Sequence, residues 1–298
     1  MSLGQLRLLK QIIAAGENSA GLSIEQLRAN FDRFLGRFPG VDGLQVEAGE
    51  IDGVGVEWLA PPDSDPESAL LVYLHGGGFV VGSPASHRQT AARLARAAGV
   101  RALLVDYRLA PEHPYPAALE DVMTVWRRLH DQERESRRLV LAGDSAGGGL
   151  AMLAMTRMRE ESLPLPLAAV AISPWADYAG TTPSLDAHAH LDPTVQREGV
   201  EKMAALYLDG ADPWSPQVTP LRADLQDLPP ILIQAGGAET LLGDAHQLAE
   251  RARGAGVEVE LDVWPEMIHA WHVFAARLGE GQQAIDAAGR FLRRHLSR

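Results

Sequence analysis

Apolar residues recur along this chain with two different spacings. Near the N-terminus they fall three and four apart: Leu6, Leu9 and Ile13 share one helical face over residues 4–14, and Leu27, Phe31, Phe34 and Leu35 share another over 24–37. Ser23 followed by Gln26 is a capping-box pair that opens the second helix. Beyond residue 43 the apolar residues gather into short runs bounded by turn formers, which predict strands at 44–47, 54–59, 69–74, 101–105, 139–142, 168–173, 231–235 and 257–263. From the third strand onward, helical patterns at 87–98, 117–131, 146–160, 242–255 and 281–296 alternate with them. Continuous apolar strands separated by amphipathic helices predict an α/β fold, a mostly parallel sheet covered by helices on both faces. The alternation breaks over residues 174–230, where Pro, Asp and Thr are frequent and 196–208 is the one helical stretch. An insertion of that length at a strand end points to function. The expected organisation is N-terminal cap helices in 1–43 and a catalytic domain over 44–298, with 176–212 contributing to the cap.

Composition narrows this little but excludes several classes. The 298 residues suit one large domain with an accessory piece, and 46% hydrophobic with 22% charged residues is ordinary for a globular chain. A net charge of -12, spread along the chain, argues against nucleic acid or an anionic membrane as partner. The lack of cysteine excludes disulfides, thiolate metal sites and a cysteine nucleophile. Arg7 and Lys10 interrupt the first residues and no continuous apolar core follows them, so no secretory signal is expected and a cytoplasmic location is the default. Nor does any apolar run reach membrane-spanning length.

Candidate chemistry starts at Gly143-Asp144-Ser145-Ala146-Gly147, between a predicted strand and a predicted helix. A serine flanked this way is presented on a tight strand-to-helix turn as a nucleophile. Roughly 0.1 copies of such a pattern arise by chance in a chain this long, so its context must carry the inference. That context is His75-Gly76-Gly77-Gly78-Phe79, also at a strand end, where bare glycine backbone turns N–H groups toward a substrate oxyanion. The two motifs together point to acyl transfer. A serine needs a base, and the expected order is Ser, then Asp or Glu, then His. His269, in the loop after the last strand, is preferred to His272 as base; Glu239, after the Gly236-Gly237 bend, is preferred to Asp244, which falls in a helix where a solvated or capping role is usual. Both alternatives stay open at this point.

Other conspicuous residues have plainer readings. Asp106, Tyr107, Arg108 and Glu112 read as loop braces, Asp144 as a hydrogen-bonding neighbour of the nucleophile and His75 as an orienter of the glycine loop. His188-Ala189-His190-Leu191-Asp192 imitates a metal-ligand cluster and Glu266 to His269 a di-iron motif, yet neither has the further ligands such sites need. Trp175, Trp214, Trp271, Tyr178 and Tyr207 are read as core before pocket.

With Asp106-Tyr107-Arg108-Leu109-Ala110-Pro111-Glu112 added to the two glycine motifs, residues 70–275 resemble the bacterial hormone-sensitive lipase branch of the α/β-hydrolases. The resemblance implies an α/β-hydrolase fold with an eight-stranded, mostly parallel sheet, a helical cap, no metal or organic cofactor, and a serine carboxylesterase acting on short acyl chains, often as a homodimer. It further implies Ser145 as nucleophile, His269 as base, and Gly76, Gly77 and Ala146 as oxyanion-hole donors. Most family members carry Asp-Pro-Leu at the acid; here Glu239-Thr240-Leu241 stands in that place, a minority pattern of the family. The expected partner is a small-molecule ester, without nucleic acid or membrane insertion. Each oxyanion donor is expected to lower the barrier by roughly 3 kcal/mol, and activity to fall as pH drops through about 6 to 7, where a histidine base protonates. Amide, lactone or formamide hydrolysis by the same machinery, and ligand reception without catalysis, are the competing readings.

Overall fold

The β-branched and apolar runs pair into one eight-stranded sheet. The computed structural model describes residues 3–16, 21–62, 64–65, 69–131 and 138–297. Its strands are β1 (Gln45–Ile51), β2 (Val54–Ala60), β3 (Leu70–Leu74), β4 (Arg101–Asp106), β5 (Leu139–Asp144), β6 (Ala169–Ile172), β7 (Ile231–Gly236) and β8 (Val259–Trp264). They lie in the order β1-β2-β4-β3-β5-β6-β7-β8. β1 and β2 are antiparallel to their neighbours and all later pairs are parallel. β1 runs on to Ile51 rather than ending at residue 47, because the hairpin carries its register up to the pair Ile51 and Val54. It is also the exposed edge, so its alternation is not that of a strand buried on both faces.

The helices are α1 (Leu3–Gly16), α2 (Ile24–Gly36), α3 (Pro84–Ala98), α4 (Ala117–Asp131), α5 (Ala146–Glu160), α6 (Ser184–Ala187), α7 (Arg197–Leu208), α8 (Leu242–Gly254) and α9 (Gly279–Leu296). The Ser23–Gln26 capping box forms as expected. α3 starts earlier than its apolar spacing indicated because Ser83 caps it and Pro84 occupies its first turn. α6 escaped the sequence reading: four residues cannot show a helical period.

Period-two geometry sends alternate residues of β3 into two cores. Leu70, Val72 and Leu74 pack with Trp126 of α4, Leu153 of α5 and Leu248 of α8. Leu71 and Tyr73 pack with Leu94 of α3 and Phe291 of α9. A third cluster joins Leu6, Leu9 and Leu35 of the N-terminal helices to Met267, Ile268, Trp271 and Phe274 in the chain after β8. Phe79 stacks on Tyr207 of α7 with centroids 3.7 Å apart, and Trp175 and Tyr178 close round it. Trp214 differs from the core expectation: it is 53% exposed. No helix among the described residues is long and apolar enough to cross a membrane.

Candidate active site

β5 ends and α5 begins on one strained residue. Ser145 has φ 54 and ψ -120, a conformation L-residues avoid. Neighbouring backbone holds it there: its N–H donates to the Ile172 carbonyl at 2.8 Å, and its carbonyl accepts from Trp175 N–H at 2.9 Å. A side chain on Gly143 would strike the Gly147 carbonyl, and one on Gly147 would strike the Leu74 carbonyl. The two glycines therefore let the turn close and seat it against the end of β3. Ser145 is partly exposed between the buried Asp144 and Ala146.

The loop after β3 is equally constrained. Gly77, Gly78 and Phe79 have φ of 118, 61 and 64, and a side chain on Gly76 would collide with Asp144 Oδ2. Neither the Gly76 nor the Gly77 N–H has an acceptor among the described residues. Ala146 opens α5, so its N–H lacks an intrahelical acceptor. His75 braces this loop: Nδ1 lies 2.8 Å from the Gly76 carbonyl, its ring stacks on Tyr107 at 4.2 Å, and Tyr107 donates its hydroxyl proton to the His75 carbonyl at 2.6 Å. Burial pushes His75 down to about 3, so it is neutral. The other expected braces form too, Arg108 with Asp121 and Arg28 of α2 with Glu112, the Val80 carbonyl and the Ala110 carbonyl.

Beyond β7, Gly236 and Gly237 allow the acid-bearing and histidine-bearing loops to lie together: a side chain on Gly236 would strike the Met267 carbonyl. Gly237 N–H donates to the Trp264 carbonyl at 2.7 Å and Ala238 N–H to the Met267 carbonyl at 3.0 Å. Glu239 Oε2 accepts the Ser173 hydroxyl at 2.6 Å and Gly236 N–H at 2.9 Å, and Ser173 Oγ in turn accepts Ala270 N–H at 3.0 Å. Ser173 thereby ties the acid to the residue after His269. Glu239 and His269 are both buried, and Glu239 Oε1 and His269 Nδ1 have no partner. Burial pushes the Glu239 carboxyl up to about 8, against those two hydrogen bonds. Burial likewise pushes His269 below its ordinary value, against the charges of Asp192 and Asp144.

The open alternatives are engaged by other partners. His272 is buried, its Nε2 is 2.9 Å from Gln234 Oε1, and burial pushes it down to about 3. Asp244 is not the solvated helix residue expected: it is buried, with Oδ2 accepting Ala176 and Asp177 N–H and Oδ1 the Thr182 hydroxyl. It braces the start of the insertion. The residue sequence reasoning missed is Asp192. Its Oδ2 accepts the N–H groups of both His269 and Thr240 at 3.2 Å, and its Oδ1 accepts Thr194 N–H at 2.9 Å. The metal-like cluster is thus part of the histidine's support, and His188 Nδ1 lies 2.9 Å from the Glu239 carbonyl. No group of three or more His, Asp or Glu among the described residues is placed to hold a metal. The signal that marks Asp192 is local: Asp-Pro-Thr suits an Asx turn, which Thr194 completes.

A serine on a strand-to-helix elbow, beside a glycine loop with unengaged N–H groups, recurs in known proteins. Residues 71–273 match the α/β-hydrolase fold family. The chain belongs to that family. Within it, this α/β-hydrolase is similar to proteins of the bacterial hormone-sensitive lipase branch: a crystal structure of an esterase from that family is 43% identical, with a TM-score of 0.95 over 98% of both chains. EstE5, solved after soaking with p-nitrophenyl butyrate, is 40% identical with a TM-score of 0.93 over 99% of both chains. An acetyl-hydrolase of Streptomyces hygroscopicus is 40% identical over 98% of this hydrolase and 97% of its own length. An esterase of Acinetobacter venetianus is 31% identical over 95% and 93%.

Proposed function

We propose that this hydrolase, a carboxylic-ester hydrolase of the hormone-sensitive lipase branch, cleaves short-chain esters with Ser145 as nucleophile, His269 as base and Glu239 as acid. Gly76, Gly77 and Ala146 are the oxyanion donors, and residues 1–43 with 176–212 form the cap that limits the acyl chain. The observation that carries this reading is Ser145 itself, held at positive φ and partly exposed where two loops leave N–H groups unengaged. Strain at such a residue is maintained where surrounding structure over-determines it, as the glycine contacts do here. The acetyl-hydrolase relative and the p-nitrophenyl butyrate soaked into EstE5 favour short acyl groups.

In this mechanism the ester carbonyl oxygen sits among the Gly76, Gly77 and Ala146 N–H groups. His269 takes the Ser145 proton as the oxygen attacks, and the three donors stabilise the tetrahedral oxyanion. The imidazolium then gives its proton to the leaving alcohol, and water repeats the sequence on the acyl-enzyme. Glu239 Oε1, which has no other partner, accepts Nδ1–H and stabilises the imidazolium. The imidazolium charge favours the ionised form of the Glu239 carboxyl, which burial disfavours.

The test is hydrolysis of p-nitrophenyl esters from acetate to palmitate by wild type and Ser145→Ala. Turnover should be greatest on acetate and butyrate and fall by about 10⁶-fold in the variant. Turnover retained in Ser145→Ala would remove the serine mechanism, and a maximum on palmitate would remove the short-chain assignment.

A further inference from the structure

One side chain from the N-terminal helices holds the far end of the oxyanion loop. Arg28 lies on α2, whose Ile24, Leu27 and Phe31 pack against the core cluster that contains Phe79, Val80, Val81, Tyr107 and Ala110. Its guanidinium donates from Nε to the Val80 carbonyl at 2.9 Å and from Nη2 to the Ala110 carbonyl at 2.8 Å. The remaining contacts go to Glu112, from Nη1 to Oε1 at 3.0 Å and from Nη2 to Oε2 at 2.6 Å. Four of the five N–H groups of the fork are therefore engaged, by three residues on two loops. We propose that Arg28 is a positioning residue for ester hydrolysis: it clamps the oxyanion loop to the 107–112 loop, so that an N-terminal cap helix sets the aim of the Gly76 and Gly77 N–H groups.

The route from Arg28 to those donors is short. Val80 and Val81 N–H both donate to the Gly77 carbonyl, at 3.1 and 3.0 Å, and close 77–81 into one turn. Val80 thus holds Gly77 through its N–H while its own carbonyl is held by Arg28. The turn has no slack: a side chain on Gly77 would strike the Val81 carbonyl, and one on Gly82 the Gly76 carbonyl. On the other loop, Ala110 N–H donates to the Phe79 carbonyl at 2.9 Å, and the Ala110 carbonyl accepts from Arg28. Phe79 and Val80, neighbours in the turn, are therefore bound to a common frame, one through Ala110 and the other through Arg28. Every donor in this route is an N–H group and every acceptor a carbonyl or carboxylate oxygen, so no step depends on where a hydroxyl proton points.

The ion pair is the lesser part of the clamp. The Arg28 and Glu112 side chains are 25% and 46% exposed, and water screens a pair this open. Val80 and Ala110, by contrast, are buried, and Arg28 is the donor to both of their carbonyl oxygens. Without it those oxygens lose their partner or the loops shift to reach water. Lysine keeps the charge, but a single ammonium does not reproduce the planar fork that spans two carbonyls and a carboxylate. The consequence for catalysis rests on the reading of Gly76 and Gly77 as oxyanion donors.

Hydrogen exchange tests the clamp without any assay of activity. Amides in the peptide spanning 75–82 should exchange about tenfold faster in Arg28→Lys than in wild type, as a locally loosened segment does, and at the wild-type rate in Glu112→Gln. On p-nitrophenyl acetate, kcat of Arg28→Lys should fall about tenfold, less than the ~10²-fold that an ångström of misplacement costs, with KM changed less than about twofold. Glu112→Gln, which removes the ion pair and leaves both carbonyls bonded, should keep wild-type kcat. Arg28→Ala should show a loss that added guanidinium ion, at non-denaturing concentration, partly restores. Unchanged exchange over 75–82 in Arg28→Lys would overturn the clamp. A wild-type kcat in that variant, or a loss appearing wholly in KM, would overturn the positioning role, as would an equal loss in Glu112→Gln. Turnover retained by Ser145→Ala in the same assay would instead overturn the nucleophile reading, and the exchange rates would still decide the clamp.

Discussion

Glu239 and His269 each keep one buried polar atom, Oε1 and Nδ1, without a hydrogen-bond partner, while Ser173 links the other Glu239 oxygen to the backbone just after His269. A buried carboxyl with one oxygen satisfied and one not is costly to fold, and an imidazole with an idle Nδ1 lacks a fixed tautomer. The two deficits are complementary. Apo catalytic hydrogen bonds are commonly long and tighten once substrate is bound. The unpaired atoms are therefore read as a triad contact awaiting the charge that forms in the reaction.

Glu239→Gln tests this with little change of shape. The amide oxygen keeps the Ser173 and Gly236 hydrogen bonds, so its NH₂ faces His269 and donates to Nδ1, which leaves the proton on Nε2 and disables the base. kcat should fall by roughly 10⁴-fold at neutral pH, as the equivalent amide substitution does in the general triad scheme. Stability should move the other way. The folded-state value of about 8 lies above the ordinary 4.5, so the native protein holds the proton more firmly than the unfolded chain. The contribution of Glu239 is then fully present below about 4.5 and lost as pH rises through about 8. Thermal melts should show the glutamine variant gaining on wild type across that window; a constant offset would refute the raised carboxyl.

The same shifts move the acid limb of activity. The sequence expectation placed it at about 6 to 7, on protonation of a histidine base. In the structure burial pushes His269 down, which keeps it neutral to lower pH, and pushes Glu239 up to about 8. A profile of kcat/KM should still rise between pH 7 and 8, and substitution of Glu239 by Gln should flatten that rise. A plateau reached by pH 6 would mean that Glu239 is ionised throughout.

What the sequence made legible was what backbone sterics impose locally. Parallel strands buried on both faces read as apolar runs, and β3, β5 and β7 were found within a residue or two. Gly143, Gly147, Gly76 and Gly77 announced their loops because no side chain fits there. The Asx turn at Asp192 is local, but its tie to the histidine loop and the role of Asp244 were invisible because those hydrogen-bond donors lie far off in sequence: His269 is 77 positions from Asp192, and Ala176 is 68 from Asp244. His188 and His190 drew attention toward metals, while the neighbour that reaches the base loop was the aspartate.

Asp192 yields a prediction that separates charge from anchoring. Every hydrogen bond to its two carboxylate oxygens comes from a donor, Thr240 and His269 N–H on one side and the Thr194 N–H and hydroxyl on the other. Asp192→Asn must turn an NH₂ group toward one of these sets, whichever way the amide is flipped. The substitution should cost about 1 to 3 kcal/mol, the price of buried groups left unpaired, measured by urea unfolding. It also removes a negative charge that raises His269. The histidine component of the acid limb should therefore move to lower pH in the variant. A variant as stable as wild type, with an unmoved limb, would reduce Asp192 to a bystander.

Two glycine substitutions with opposite expectations test how closely the acid and base loops must approach. A methyl group at Gly236 would be driven into the Met267 carbonyl, with the Ile268 carbonyl 2.9 Å away. The backbone has to give, and the give separates Glu239 from His269. Gly236→Ala should lower kcat by about 10²-fold, the effect of an ångström of misplacement, while Ser145 stays on its elbow. Gly199, inside α7, has nothing within 4 Å of the site of a side chain and no positive φ. Gly199→Ala should therefore stabilise the protein by about 0.5 to 1 kcal/mol through helix propensity, with kcat unchanged. Parallel melts and initial rates on p-nitrophenyl acetate decide both. If Gly236→Ala keeps wild-type kcat, contact between the two loops does not set the triad geometry; if Gly199→Ala loses activity, α7 must flex during turnover.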